Sequence, residues 1–259
     1  MKIFCKIFTA IIIVLISLSN SYAAEKVNYL KTNWSFKGLF GKFDRGALQR
    51  GYQVYTEVCS SCHSMKYLSY RNLSEQGGPE FTVAQAKVIA ASFEVKDGPN
   101  ADGEMFTRPG KLSDKFVMPY ENIKAAQAAN GGAYPPDMSV LVKARGGGVD
   151  YIYSLLQGYD DPPVGITLDE GVYYNKYMYG NKIKMASPLS DGLVEYSDGT
   201  IATVEQMSKD VTTFLMWAAE PHLEARHQMG FKAIVYLIIL TILVYFSMKK
   251  IWSRIETEV

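Results

Sequence analysis

A chain of 259 residues that is 48% hydrophobic can bury one large core or two small ones. Its formal net charge of +1 hides an acidic middle: from Ala24 to Pro221 there are 20 Lys plus Arg against 23 Asp plus Glu, which argues against nucleic acid or an anionic membrane surface as partner. Of three cysteines, Cys5 lies in the first few residues, which leaves Cys59 and Cys62, too few for a disulfide framework.

The chain opens on the pattern of an export signal. Lys2 and Lys6 form a basic start, Ile7 to Leu18 an apolar run, and Ser21-Tyr22-Ala23 a small-residue cleavage site, so residues 1–23 are expected to be removed. The apolar run falls short of the ~20 residues that a span needs. Asp44 is the expected N-cap of a first helix, with Leu48, Gly51, Tyr52, Tyr55 and Val58 at helical spacing up to the cysteines. Shorter helices are expected at Val83 to Ser92, Asn122 to Ala129, Asp137 to Arg145 and Gly148 to Leu156. Strand signals are weak. Leu193 to Tyr196 before the Asp198-Gly199 turn reads as a small hairpin.

A last helix of the exported domain is expected from Thr203, where Thr203-Val204-Glu205-Gln206 reads as a capping box and Val211, Phe214, Leu215 and Ala218 share a face. It stops before Pro221. Residues 222–230 read as a juxtamembrane segment, 231–248 as a transmembrane helix and 249–259 as a cytoplasmic tail carrying Lys249, Lys250 and Arg254. The apolar stretch, Ala233 to Met248, covers ~24 Å against a hydrocarbon core of ~30 Å, so Phe231 and a snorkelling Lys232 must extend it. The expected topology is an exported domain, 24–221, and a small inside tail.

Cys59-Ser60-Ser61-Cys62-His63 is the C-x-x-C-H pattern of c-type haem attachment. Two thiols three residues apart can each add to a vinyl group of one porphyrin, while the adjacent imidazole reaches the iron. A chance match in this composition has a probability of about 4 in 10,000. A thioredoxin-like pair would follow a strand and precede a helix, whereas this motif ends a helix. A zinc site would need more Cys or His, and His222 and His227 sit beside the anchor. The sixth position of the iron decides between electron transfer and ligand chemistry. Met105, Met118, Met138, Met178, Met185, Met207 and Met216 are all candidates for it, and spacing leaves the choice open. Met185 stands out because Lys184-Met185-Ala186-Ser187-Pro188 is irregular and can hold a side chain over a porphyrin face, although most Met residues fill gaps in cores.

Around the motif, ordered blocks resemble the cytochrome c1 family, haem subunits of the cytochrome bc1 complex, over nearly the whole mature chain. They are Gly51-Tyr52-Gln53-Val54-Tyr55 leading into Val58 to Met65, Asp97 to Asn100, Asp102 to Phe106, Arg108 to Asp114, Gly132 to Asp137, Lys143-Ala144-Arg145 before Asp150-Tyr151, Met185 to Pro188, and Trp217 to Pro221. The resemblance implies a mainly α fold: a class I cytochrome c-like haem domain with long loop insertions plus one C-terminal transmembrane helix. It implies one covalent haem c on Cys59 and Cys62, with His63 and Met185 as axial ligands of the iron. It also implies that Asn130, Pro135, Pro136, Arg145 and Tyr151 line the crevice, with Arg145 near a propionate, which suits a guanidinium fork.

The function so implied is electron transfer from a Rieske iron-sulfur protein to cytochrome c. It would take place beside cytochrome b, in a dimeric quinol:cytochrome c oxidoreductase at the periplasmic face of a bacterial inner membrane. The complex is the enzyme, and this subunit needs no bond-making residue of its own. Glu94, Asp97, Asp102 and Glu104 against a lone Lys96 would steer a basic cytochrome c. Relatives of the family can carry an extra cysteine pair that this chain lacks, so its loops must be held by packing and by the haem. An anchored cytochrome c feeding a terminal oxidase is disfavoured by the 122 positions between His63 and Met185. A haem peroxidase or sensor would keep the sixth site open.

Overall fold

The computed structural model describes residues 27–256, so the expected export signal at 1–23 lies outside the described residues. Helix α1, Arg45–Val54, starts where Asp44 accepts from the Ala47 amide at 3.2 Å, as its spacing predicts. It runs directly into a π turn, Tyr55–Cys59, marked by the Ser60 amide donating to the Tyr55 carbonyl at 2.8 Å.

The remaining helices are α2, Val83–Ala91; α3, Ile123–Ala129; α4, Gly148–Gln157; α5, Val204–Ala219; and α6, Leu223–Glu256. Two short antiparallel hairpins and 3-10 turns at Tyr70–Ser74 and Tyr179–Asn181 complete the regular structure of the described residues. One pairs β1, Glu94–Asp97, with β2, Phe106–Pro109; the other pairs β3, Tyr173–Tyr174, with β4, Lys182–Ile183. The fold is mainly helical.

The core sits where α1 crosses α5. Gly51 allows the approach, because a Cβ there would lie 2.1 Å from the Asp210 carbonyl oxygen and 2.8 Å from Phe214 Cβ. Tyr52 and Tyr55 then meet Phe214 with ring centroids 5.7 and 5.8 Å apart, and Phe214 leans on Trp217 at 5.5 Å. Phe214 and Trp217 are almost wholly buried, each contributing about 2–3 kcal/mol from apolar area removed from water. An ion pair crosses the same junction: Arg50 donates to both oxygens of buried Asp210, at 2.9 and 3.1 Å, and to Asp198 at 2.6 Å. Helix α4 packs on α5, and its buried Asp150 accepts from Trp34 Nε1 at 2.7 Å and Lys31 Nζ at 2.8 Å, tying down the segment before α1.

Three expectations are corrected. Residues 137–145 form a chain of turns in place of the helix expected from Asp137 to Arg145. Asp137 takes the Ser139 amide at 3.0 Å, an Asx turn that competes with helix initiation, and also serves Ser64 and Lys66. Leu193 to Tyr196 makes no strand. Its polar backbone groups go elsewhere: the Leu193 amide to the Ser190 carbonyl, and the Glu195 carbonyl to the Gln53 side chain. The box at Thr203 is half formed: Thr203 Oγ1 accepts from the Gln206 amide at 3.1 Å, but Gln206 Nε2 turns to Asp210 at 3.0 Å, while the Thr203 amide bonds the Ile201 carbonyl.

Helix α6 spans 34 residues, or ~51 Å at 1.5 Å per residue. The segment expected to be juxtamembrane is thus mostly its first two turns. Among the described residues it is the one helix long and apolar enough to cross a membrane, with mean hydropathy 2.2 over its most apolar window, and the apolar side chains of 231–248 are exposed. Its first turn is clamped to α1, where the Arg45 guanidinium grips both carboxylate oxygens of Glu224 at 2.7 and 2.9 Å.

Candidate haem-attachment site

The π turn delivers Cys59 into half-buried surroundings against the core, and a tight turn after it presents Cys62 at a cleft. Within that turn the Cys62 and His63 amides both bond the Cys59 carbonyl, at 3.2 and 2.9 Å. Both thiols are free. Burial, then the neighbouring Cys62, pushes the Cys59 thiol up to about 12, so it rests protonated.

His63 is buried, and its Nδ1 lies 2.8 Å from the Pro136 carbonyl oxygen. A carbonyl can only accept, so Nδ1 carries the hydrogen and donates, which leaves Nε2 with a free lone pair. Burial lowers the imidazole pKa, with the Pro136 carbonyl and Asp137 pulling the other way. The neutral, ligand-ready form is the one favoured near neutral pH.

The 136–139 loop is fastened to the motif along its length. The Met138 amide donates to the Ser64 carbonyl at 2.8 Å, Ser64 Oγ to Asp137 at 2.8 Å, the Lys66 amide to Asp137 at 3.1 Å, and the Tyr67 amide to Ser139 Oγ at 3.1 Å. Asp137 stays ionised below the usual carboxylate range: burial pulls it upward, but the bonds from Ser139, Lys66 and Ser64 outweigh it. Sequence reasoning missed Asp137 as a positioning residue by taking it for a helix start. The signal was present in Pro135-Pro136-Asp137, since two prolines in succession fix an extended entry from which a carboxylate can reach sideways.

The cleft beside Cys62 has a volume of about 200 Å³ and is walled by Met118, Pro119, Tyr120, Tyr134 and Pro135. Asn130 borders it through Tyr120, whose hydroxyl accepts from Asn130 Nδ2 at 3.0 Å. Thus Cys59, Cys62, His63, Asn130, Pro135 and Pro136 share one side of the molecule. Met185 reaches the same neighbourhood through the chain: Lys184 Nζ donates to the Gly131 carbonyl at 3.1 Å, and the half-buried Met185 offers its carbonyl to Tyr159 Oη at 3.1 Å. Tyr151 packs edge-on against Tyr29 and donates to Met178 Sδ at 3.4 Å. Arg145 is exposed, with its guanidinium on the Ala144 carbonyl; burial raises the Tyr151 phenol, and the nearby Arg145 charge only partly opposes this. Within the acidic stretch Asp97 is paired with Arg108, whereas Lys96 spends its charge on Glu121 outside the stretch.

The donor set fits a covalent haem: two free thiols three residues apart, an oriented imidazole beside them, and a cleft of aromatic, Met and Pro side chains. A mainly helical fold carrying this motif, continued by one long apolar helix, defines a membrane-anchored c-type cytochrome. The family model described as the Cytochrome C1 family matches residues 34–255. The chain is 54% identical over 239 residues to "Cytochrome b/c1" of Bradyrhizobium diazoefficiens, covering 85% of this chain and 35% of that protein, so it spans about a third of that relative's length. It is 49% identical over 225 residues to "Cytochrome c1-2, heme protein, mitochondrial" of Solanum tuberosum, covering 87% of this chain and 85% of that one. It is also 45% identical over 246 residues to "Cytochrome c1" of Rhodospirillum rubrum, covering 89% of each. The chain belongs to the cytochrome c1 family.

Proposed function

We propose that this chain is the haem-bearing electron-transfer subunit of a quinol:cytochrome c oxidoreductase of the bc1 type, accepting an electron from a Rieske iron-sulfur protein and passing it to cytochrome c. Cytochrome b is its partner within the membrane and the whole complex is a dimer. The observation that carries the reading is the His63 ring, fixed by the Pro136 carbonyl beside two free thiols. When bound, haem c supplies a one-electron couple whose potential is raised by a thioether ligand.

The chain's own residues hold and tune that group. Cys59 and Cys62 would hold the haem through thioether links, and His63 would offer its free Nε2 to the iron. Met185 would supply the thioether ligand to the iron, its loop pinned by Lys184 to the turn after Asn130. Asn130, Pro135, Pro136 and Tyr151 wall the crevice and exclude water. Arg145, exposed here, offers its fork to a propionate carboxylate. Residues 24–221 form the periplasmic haem domain, of class I cytochrome c type. Residues 1–23 are its export signal, 231–248 its transmembrane anchor, and 249–259 the inside tail.

Met185→Leu tests the assignment in the isolated complex. The expected result is a marked fall in haem midpoint potential and new binding of carbon monoxide to the reduced protein. Met178→Leu, which removes the sulfur that Tyr151 contacts, leaves both unchanged. If Met185→Leu behaves as wild type, the Met-ligated carrier reading is wrong.

A further inference from the structure

The turn between Trp34 and Phe43 spends its residues in an unusual way. Lys37-Gly38-Leu39-Phe40-Gly41-Lys42 holds two large apolar side chains at its tip, and both face outward: Leu39 is 58% exposed and Phe40 69%. Two glycines make this presentation possible. Gly38 sits at φ +91°, and a Cβ on Gly41 would lie 2.3 Å from the Phe36 carbonyl oxygen.

The tip is not loose. The Lys37 amide bonds the Trp34 carbonyl at 3.1 Å, Gly41 bonds Gly38 at 3.2 Å, and Lys42 bonds Ser35 at 3.0 Å, all above the buried, stacked rings of Trp34 and Phe36. At its far end the Phe43 amide donates to Glu224 at 2.8 Å, on the carboxylate that Arg45 also grips in the first turn of α6. The clamp sets the turn alongside α6, and the Phe40 ring meets the Phe231 ring edge-on at 5.6 Å. Phe231 is where the apolar stretch of α6 begins.

We propose that this turn is a second membrane contact, in which Leu39 and Phe40 enter the headgroup and acyl boundary of the leaflet that α6 passes through. Its occupant is phospholipid because its apolar surface is continuous with the exposed apolar surface of α6, and because Lys42 and Lys232 stand exposed beside it where phosphates would lie. Lys37 shares its ammonium with Asp150 yet stays half exposed on the same rim. A spanning helix alone leaves the domain free to tilt, whereas a rigid second contact fixes its inclination. The proposal rests on α6 crossing the bilayer.

The test places the photo-crosslinker p-benzoylphenylalanine at position 40, and separately at 39, in the full chain assembled in its native membrane with haem retained. Leu240, in the middle of α6, and Val164, fully exposed on the loop after α4, take the same probe as references. Mass analysis is expected to show one phospholipid added at 40 and 39, as at 240, with none at 164. If 240 gains lipid while 39 and 40 gain a protein chain, or match 164, the turn proposal fails and the anchor stands. If 240 gains no lipid, the anchor reading fails and takes this proposal with it.

Discussion

The α1–α5 crossing and the loop wall of residues 117–139 are held by different means. At the crossing Leu48, Val54, Phe214 and Leu215 are buried to 1% or less, by contacts the chain makes with itself. In the loop wall Met118 and Tyr134 remain about half exposed, and it is residues 136–139, with Met138 at the edge of the core, that are fastened by hydrogen bonds to the Cys-His segment. One half completes its own interior, whereas the other lines the cleft beside Cys62. A fold of this kind is expected to be stable on one side and conditional on its cofactor on the other.

The largest test of that contrast removes the cofactor's attachment. The double variant Cys59→Ser, Cys62→Ser is expected to lose covalent haem, and limited proteolysis should then cut first within 117–147 while a fragment pairing α1 with α5 persists. Uniform digestion of both halves would break the comparison. Next in size, Gly51→Val forces a side chain into the 2.1 Å gap to the Asp210 carbonyl, so the helices must separate at a cost of about 3 kcal/mol or more. This would be read as a lower denaturant midpoint of the solubilised haem protein.

Asp210→Ala takes from Arg50 its buried carboxylate partner and leaves it Asp198 and the Tyr196 ring, and should cost about 2 kcal/mol by the same measurement. The smallest effect lies on the surface. Arg108 donates to Asp114 at 2.6 and 3.1 Å and lowers that carboxyl from the ordinary 3.8 to about 2. Because the folded value is the lower one, the stability it lends is present above about pH 4 and is lost as pH falls towards 2. Hydrogen exchange in β2 and residues 110–114 should therefore speed up across that interval, and Arg108→Leu should flatten the dependence.

What could be read from the sequence follows the same divide. Asp44 and Thr203 announce α1 and α5 because a cap and a helical period are local signals, and C-x-x-C-H needs five consecutive residues. The site's supporting bonds are not local. His63 and Pro136 stand 73 positions apart, and Asp137 reaches back to Ser64 and Lys66, so a residue with the look of an N-cap became a cross-strut. The hairpin of β1 and β2 escaped notice because its strands are mostly exposed and too short for a burial period to register. The tie that brings Met185 near the rest also came from elsewhere, in the Lys184 bond to Gly131.

The π turn at Tyr55–Cys59 contains one residue more than an α-helical turn would. A single residue corresponds to about 100° of rotation and 1.5 Å of rise, so removing one here would swing Cys59, Cys62 and His63 together around the axis of α1 and away from the Pro136 carbonyl. What this stretch guards is therefore its length more than its spelling. Exchanges at Thr56, Glu57, Ser60 or Ser61 leave the three attachment residues aimed as they are, while a one-residue deletion misdirects all of them at once.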